Sequence, residues 1–460
     1  MKTEITFIAD THHFSPTLTD CGRSFQLRSG SDQKCLIETG PIIDAAFDFI
    51  SKSSTRAVMI AGDVTDDGEK VSHEEFREKI RKLSETKPVY LITATHDWCC
   101  DRNPRAYFGK EVSKDVPYLD HNELRDFYYD FGPKQAISEY ITHLGLPSYV
   151  VDLSDEVRLL AINDDQDGEG HSGYSEEHLQ WIEAQIKKAN EEGKVIIGME
   201  HHLIMPHAHP LISAFGMTIG NREVRASRLA DAGLKYMFVG HSHIQRVSEF
   251  VSEKGNKIIQ VNIGSLVGYP SSIVNVTVED GKVSIDTVRV PTFEYKGTRD
   301  TEAYLKRHVC NFIDNVVISA AGKDKKEYLD RMQAMGVKPE LAGKLRPVLR
   351  PVTKKLLKMK AGTAYKIVNA LTLGRALDKK DVEEYKNKPV MDFVHEMILN
   401  TVGGTPEPKS ADSAYCRLVK GVVSVPHLLV PGNKTLAQLP DVAQSIITGG
   451  KFNNYHCELK

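Results

Sequence analysis

An apolar, β-branched run of strand length stands directly ahead of each of five short clusters of metal-ligating side chains. That coincidence constrains the fold more than anything else in the chain. The runs are ITFIA, AVMIA, VYLITA, VIIGM and YMFVG. The clusters that follow them are Asp10-Thr11-His12, Gly62-Asp63, Thr95-His96-Asp97, His201-His202 and Gly240-His241-Ser242-His243. Short apolar runs bounded by turn residues read as buried strands. In open α/β sheets, ligands gather outside the carboxyl ends of the strands. The pattern predicts an α/β fold that delivers carboxylates and imidazoles to one sheet edge.

The ligand types indicate a metal. Asp10 and His12 are two residues apart and share a face of an extended chain, and His241 and His243 repeat that spacing. Gly62 lets backbone and ion approach beside Asp63, whose two oxygens can bridge two ions. Mixed Asp and His donors suit Mn, Fe or Zn better than Ca or Mg. There are more donors than one ion needs, so two divalent metal ions are expected.

Size and charge limit the alternatives. A chain of 460 residues exceeds one ordinary domain, so two are expected. The formal net charge of -3 gives no broad basic field, which makes nucleic acid an unexpected partner. No apolar stretch has spanning length, so no membrane span is expected. The start, MKTEITFIAD, runs straight into a strand without the pattern of an export signal. Seven cysteines, an odd number without metal-type spacing, fit a reduced, cytoplasmic chain.

Up to about residue 295 strands and helices alternate. SEEHLQWIEAQIKKANEEG has helical spacing and ends at Gly193, a C-cap candidate. Asp280-Gly281 between alternating apolar runs predicts a hairpin. From residue 296 the strand pattern gives way to helical segments, among them DVEEYKNKPVMDFVHEMILN. The expected division is 1–295 for the α/β domain and 296–460 for an all-helical one.

The ordered clusters resemble the pattern of the calcineurin-like metallophosphoesterase superfamily: D-x-H, G-D, G-N-H-[DE], H and G-H-x-H. The match spans about residues 1 to 290. The resemblance implies a four-layer αββα sandwich with a dinuclear site at the sheet edge. Carried over by residue, it implies that Asp10, His12, Asp63 and His243 hold one ion. Asp63, His201 and His241, with the Thr95 position, would hold the other. His96 would protonate the leaving oxygen, and the Asp66 carboxylate would orient His96.

The third block departs from the pattern. Ala94-Thr95-His96 stands where the superfamily has G-N-H, and a neutral Thr hydroxyl is a weaker ligand than an Asn carbonyl. The resemblance is greatest to bacterial phosphodiesterases, including those acting on cyclic nucleotides, in which a Gly-Ser pair like Gly264-Ser265 is common. Its implied activity is hydrolysis of a small phosphodiester by a metal-activated hydroxide. A phosphomonoesterase, a nucleotide pyrophosphatase and a metal-poor scaffold are alternatives; a nuclease fits the acidic balance less well.

Other residues have plainer readings. His202 is expected to pack behind the ligands. His13 and His207 are candidate substrate contacts, with His209 beside the latter. Cys99 and Cys100 read as buried thiols. The Lys-rich stretch KLRPVLRPVTKKLLKMK reads as a solvated helix face, or as a site for phosphate-rich ligands or anionic lipid.

Overall fold

The computed structural model describes residues 2–98, 104–207, 217–335 and 337–460. Two mixed sheets lie face to face. The first runs His456–Leu459, Lys282–Arg289, Ser272–Glu279, Lys2–Ile8, Val58–Ala61, Val89–Ile92 in spatial order. Its last three strands are parallel, and its others pair antiparallel. The second runs Arg246–Val251, Lys257–Asn262, Tyr236–Val239, Val195–Met199, Val157–Ala161, Pro147–Asp152, Ser138–Ile141.

The inner faces of the two sheets share one core, with Phe7, Met59, Leu159, Ile197, Phe238 and Val276 all fully buried. Phe7 of one sheet stacks on Phe238 of the other, with ring centroids 4.2 Å apart. Burial on both faces explains why these strands read as continuous apolar runs rather than alternating ones. The Thr39–Ser51 and Lys70–Ser84 helices cover the outside of the first sheet. The Glu176–Glu191 and Arg222–Ala232 helices cover the second. The architecture is a four-layer αββα sandwich.

From Thr301 the chain is mainly helical. The segment expected as one helix near residue 390 is two, Lys379–Glu383 and Val390–Val402. Pro389 stands between them; it lacks an N–H and disfavours helix in the residue ahead of it. The helical run does not extend to residue 460. His456–Leu459 returns to the first sheet and pairs antiparallel with Lys282–Arg289. Four residues without an alternating pattern gave no strand signal.

The helical region touches the α/β region close to the ligand edge. His308 bonds the Asp32 carbonyl at 3.0 Å, and Arg331 donates to the Gly30 carbonyl at 3.1 Å. Tyr304 donates to Glu38 at 2.7 Å. These three contacts clamp the segment between residues 30 and 38.

Candidate metal centre

All five ligand clusters follow directly on the carboxyl ends of parallel strands and meet at one edge. Asp10, His12, Asp63, His241 and His243 all have positive φ, between 39° and 69°. Non-glycine residues rarely occupy this region, and such strain concentrates at functional sites. Here it turns the chain sharply at each strand end, so that side chains two residues apart face one point. Gly62 is required for the same close approach. A Cβ there would meet Ala94 Cβ and His201 Nδ1 at 2.7 Å.

Two groups of donors result, and a third overlaps both, joining His12 and Asp63 with His96. The ligand atoms of Asp10, His12 and His243 lie within 4.8 Å of one another, as do those of Asp63, His201 and His241. Asp63 links the groups: its Oδ2 is 3.1 Å from His201 Nε2 and 4.0 Å from His12 Nε2. Within the first group, His12 Nε2 and His243 Nε2 are 2.9 Å apart, and His243 Nε2 is 3.5 Å from Asp10 Oδ1. In the second, His201 Nε2 and His241 Nδ1 are 3.2 Å apart.

Hydrogen bonds behind the donors fix their orientation. His201 Nδ1 donates to the Ala61 carbonyl at 2.8 Å, which points Nε2 at Asp63. The Asp10 carboxylate accepts the His241 N–H at 3.1 Å, and the Asp10 carbonyl accepts Ser265 Oγ–H at 2.8 Å. Asp97 accepts from the N–H groups of Val64, Thr65 and Ala94, joining the second and third clusters. His202 turns away, bonded to Asp164 at 3.0 Å, with its ring centroid 4.4 Å from that of His241.

Protonation follows from this crowding. Burial, and then neighbouring cations, hold His12, His241 and His243 below the usual imidazole range, so they are neutral donors. Burial outweighs the pull of His201 and lifts Asp10 to about 7. Burial opposes the charged form of His201, yet Asp63 prevails and raises it to about 10. Asp63 itself is held well below the carboxylate range; burial acts against this, and His201 and His96 overcome it. Three neutral imidazoles, a shared ionised carboxylate and a second buried carboxylate, with His201 giving up its proton to a bound cation, would form a donor set that fits two divalent cations of borderline softness.

His96 lies beside both groups. Its main-chain N–H donates to Asp63 Oδ1 at 2.9 Å, and its ring centroid is 4.8 Å from that of His12. Its Nδ1 donates to the main-chain carbonyl of Asp66, and Asp67 Oδ1 is 3.6 Å away. The expected carboxylate contact from Asp66 is therefore corrected: the Asp66 carboxylate faces Lys34 Nζ at 2.7 Å and Arg28 at 3.1 Å. Thr95 is half-buried in the same turn as His96.

The two expected substrate contacts also need correction. His13 is buried and bonds Glu75 at 2.8 Å, because the turn at His12 sends the next side chain under the Lys70–Ser84 helix. His207 is buried too, and burial lowers it to about 4. His209, Cys99 and Cys100 lie outside the described residues.

Sequence reasoning missed the segment from Arg28 to Lys34. Lys34 Nζ lies 3.3 Å from His12 Nδ1, and Gln33 reaches His243 Nδ1 at 2.8 Å. Arg28 also pairs with Asp32. An Arg, an Asp and a Lys within seven residues were the only available signal.

The fold and this site define a phosphoester-hydrolase scaffold. Residues 3–245 match the calcineurin-like phosphoesterase family, and the chain belongs to it. Members of this family use divalent metal ions, usually two. A probable glycerophosphodiester phosphodiesterase of Arcobacter nitrofigilis is 25% identical over 211 residues, covering 45% of this chain and 62% of that protein. Similar solved structures include a dimetal phosphatase from Danio rerio, 10% identical with a TM-score of 0.44, covering 65% of this chain and 99% of that one. A purple acid phosphatase from Lupinus luteus seeds is 12% identical with a TM-score of 0.41, covering 65% and 53%.

Proposed function

We propose that the chain hydrolyses small phosphodiesters. One divalent ion would be held by Asp10, His12, Asp63 and His243, and a second by Asp63, His201 and His241 beside Thr95. The observation that carries this reading is the pair of donor groups joined through Asp63, with His96 bonded to that same carboxylate. The relationship to a glycerophosphodiester phosphodiesterase favours diesters over monoesters.

When bound, such ions supply an activated hydroxide and offset charge on the phosphoryl oxygens. The chain's own residues do the rest. Asp63 is locked by the His96 N–H and by His201, so the shared carboxylate cannot rotate away. A carbonyl can only accept, so the Asp66 carbonyl fixes the proton on His96 Nδ1 and leaves Nε2 to serve the leaving oxygen. Burial disfavours the imidazolium, but Asp63 and Asp67 raise His96 above its ordinary range, which suits a proton donor. Positioning and electrostatics carry this chemistry.

We assign residues 1–295 to the catalytic unit and 296–460 to a helical one, with the strand at 456–459 lent back to the catalytic sheet. The test is turnover of bis-p-nitrophenyl phosphate against p-nitrophenyl phosphate with added manganese. Faster diester turnover is expected, and turnover of the monoester alone would overturn the proposal.

A further inference from the structure

The Pro339–Leu356 helix has no role in the chemistry above, and its surface is unlike the rest of the molecule. Residues 338–360 carry Lys338, Lys344, Arg346, Arg350, Lys354, Lys355, Lys358 and Lys360 against a single acid, Glu340. Eight cations minus one anion give +7 in a chain whose formal net charge is -3. None of the eight forms an ion pair with a carboxylate among the described residues. Arg346 donates only to the Gly322 and Lys323 carbonyls, at 3.0 and 3.1 Å.

The same helix exposes apolar side chains. Leu341, Leu345, Val348 and Val352 fall at i, i+4, i+7 and i+11, one stripe, and Val348 and Val352 are 68% and 57% exposed. The helix packs on Thr301–Ala321 and Lys325–Ala334 through the neighbouring face that holds buried Ala342. The apolar stripe therefore looks outward, with Lys344 and Lys355 along one side. Leu371 and Leu373, at the end of the Ala361–Thr372 helix, are exposed as well.

Beyond Pro347 and Pro351 lies a cavity of about 430 Å³ lined by Lys325, Arg346, Arg350 and Lys354, with no acidic wall. The Nε atoms of Arg346 and Arg350 are buried there without an acceptor. Arg350 stands two residues from both Val348 and Val352, so this cavity opens on the face of the helix opposite the apolar stripe. At the other end of the helix, Leu356 borders an apolar cavity of about 390 Å³ whose walls include Tyr365, Phe393, Met397 and Val419.

A solvated helix carries charge without an apolar stripe, and a protein interface of this size would leave seven surplus positive charges to be neutralised. An anionic bilayer supplies both complements at once, headgroup phosphates for the cations and an acyl boundary for the leucines and valines. We propose that this helix is a membrane-surface docking element that lies in the interface of an anionic phospholipid bilayer. Lys344 and Lys355, beside the stripe, would meet the headgroup phosphates. The element docks in the plane of the surface; no helix among the described residues is long and apolar enough to cross a membrane.

The test is flotation of the full chain with vesicles of pure phosphatidylcholine or of phosphatidylcholine containing one third phosphatidylglycerol. Binding is expected only to the anionic vesicles and should fall steeply as salt rises. Lys344→Gln with Lys355→Gln removes two interfacial charges and should weaken binding roughly 30-fold. Val348→Asp with Val352→Asp, on exposed positions that leave the fold intact, should weaken it at least about 10-fold. Both double variants should keep full turnover of a soluble diester, which separates this proposal from the catalytic one. Equal binding to both vesicle types, or binding unchanged in both variants, would overturn it. Protection of Arg350 and Lys354 by inorganic pyrophosphate without flotation would also overturn it, and would mark a site for soluble anions.

Discussion

Lys34→Met isolates the interaction that sequence reasoning did not anticipate. Lys34 is buried, and its Nζ is 2.7 Å from Asp66 and 3.9 Å from Asp32. Removing one partner of a buried ion pair costs about 3–5 kcal/mol, because the other charge is left uncompensated. Asp66 would still be held by Arg28 at 3.1 Å, so roughly half of that is expected, about 2 kcal/mol. Methionine fills most of the lysine stem, which keeps the cavity cost small. Both tryptophans, Trp98 and Trp181, lie in the two-sheet region, so their fluorescence follows unfolding of that unit. With an m-value of about 3 kcal/mol/M, the urea midpoint of chelator-treated protein should drop by roughly 0.7 M. Adding Asp66→Asn removes the stranded charge and should restore about 1 kcal/mol. A single-variant shift below about 0.2 M would refute the reasoning. So would a double variant that simply adds the two losses.

Four further outcomes follow from the site and its surroundings. His96→Ala should lower turnover by about 10²–10⁴-fold while metal content by atomic emission stays at the wild-type level. Loss of metal in that variant would make His96 a ligand rather than a proton donor. Asp63→Asn should reduce occupancy of both ions together in the same measurement, since one carboxylate serves both groups. Thr95→Asn should tighten the second ion in calorimetric titration; an unchanged or weaker affinity would mean that Thr95 faces elsewhere. Acid should destabilise the fold through His73 and His178, which burial lowers to about 3 in each case. Unfolding restores their ordinary value of about 6.5, so the unfolded chain binds more protons between those limits. Their contribution is complete above pH 6.5 and is lost as the pH falls, by about 2 kcal/mol each at pH 5. His178→Phe should therefore roughly halve the part of the acid slope due to this pair, read as urea midpoints at pH 7 and pH 5.

What could be read in the sequence was local. An apolar run followed by a carboxylate or imidazole needs only a few residues to be legible, and all five such runs became strands ending at one edge. The readings that missed depended on direction. Asp66 stands at the expected place in the chain, but the left-handed turn at Asp63 brings its carbonyl rather than its carboxylate to His96. His13 adjoins His12 yet points under a helix, because the φ of 39° at His12 reverses the alternation an extended chain would have. Lys34 and Gln33 reach His12 and His243 from a segment that also bonds His308, Arg331 and Tyr304, roughly 270 to 300 residues away. No window of sequence contains that information.

The return of residues 456–459 to the first sheet changes what the helical region is. Its partner strand lies 170 residues earlier at Asp286, so the helices form an insertion anchored at both ends rather than a tail. Asn454 strengthens the second anchor: its carbonyl accepts from Gln245 at 3.0 Å, two positions beyond His243. Severing this anchor would leave Lys282–Arg289 as a bare edge able to recruit foreign strands, and would free the neighbourhood of His243. The helices therefore cannot be trimmed from that side without disturbing the hydrolytic half.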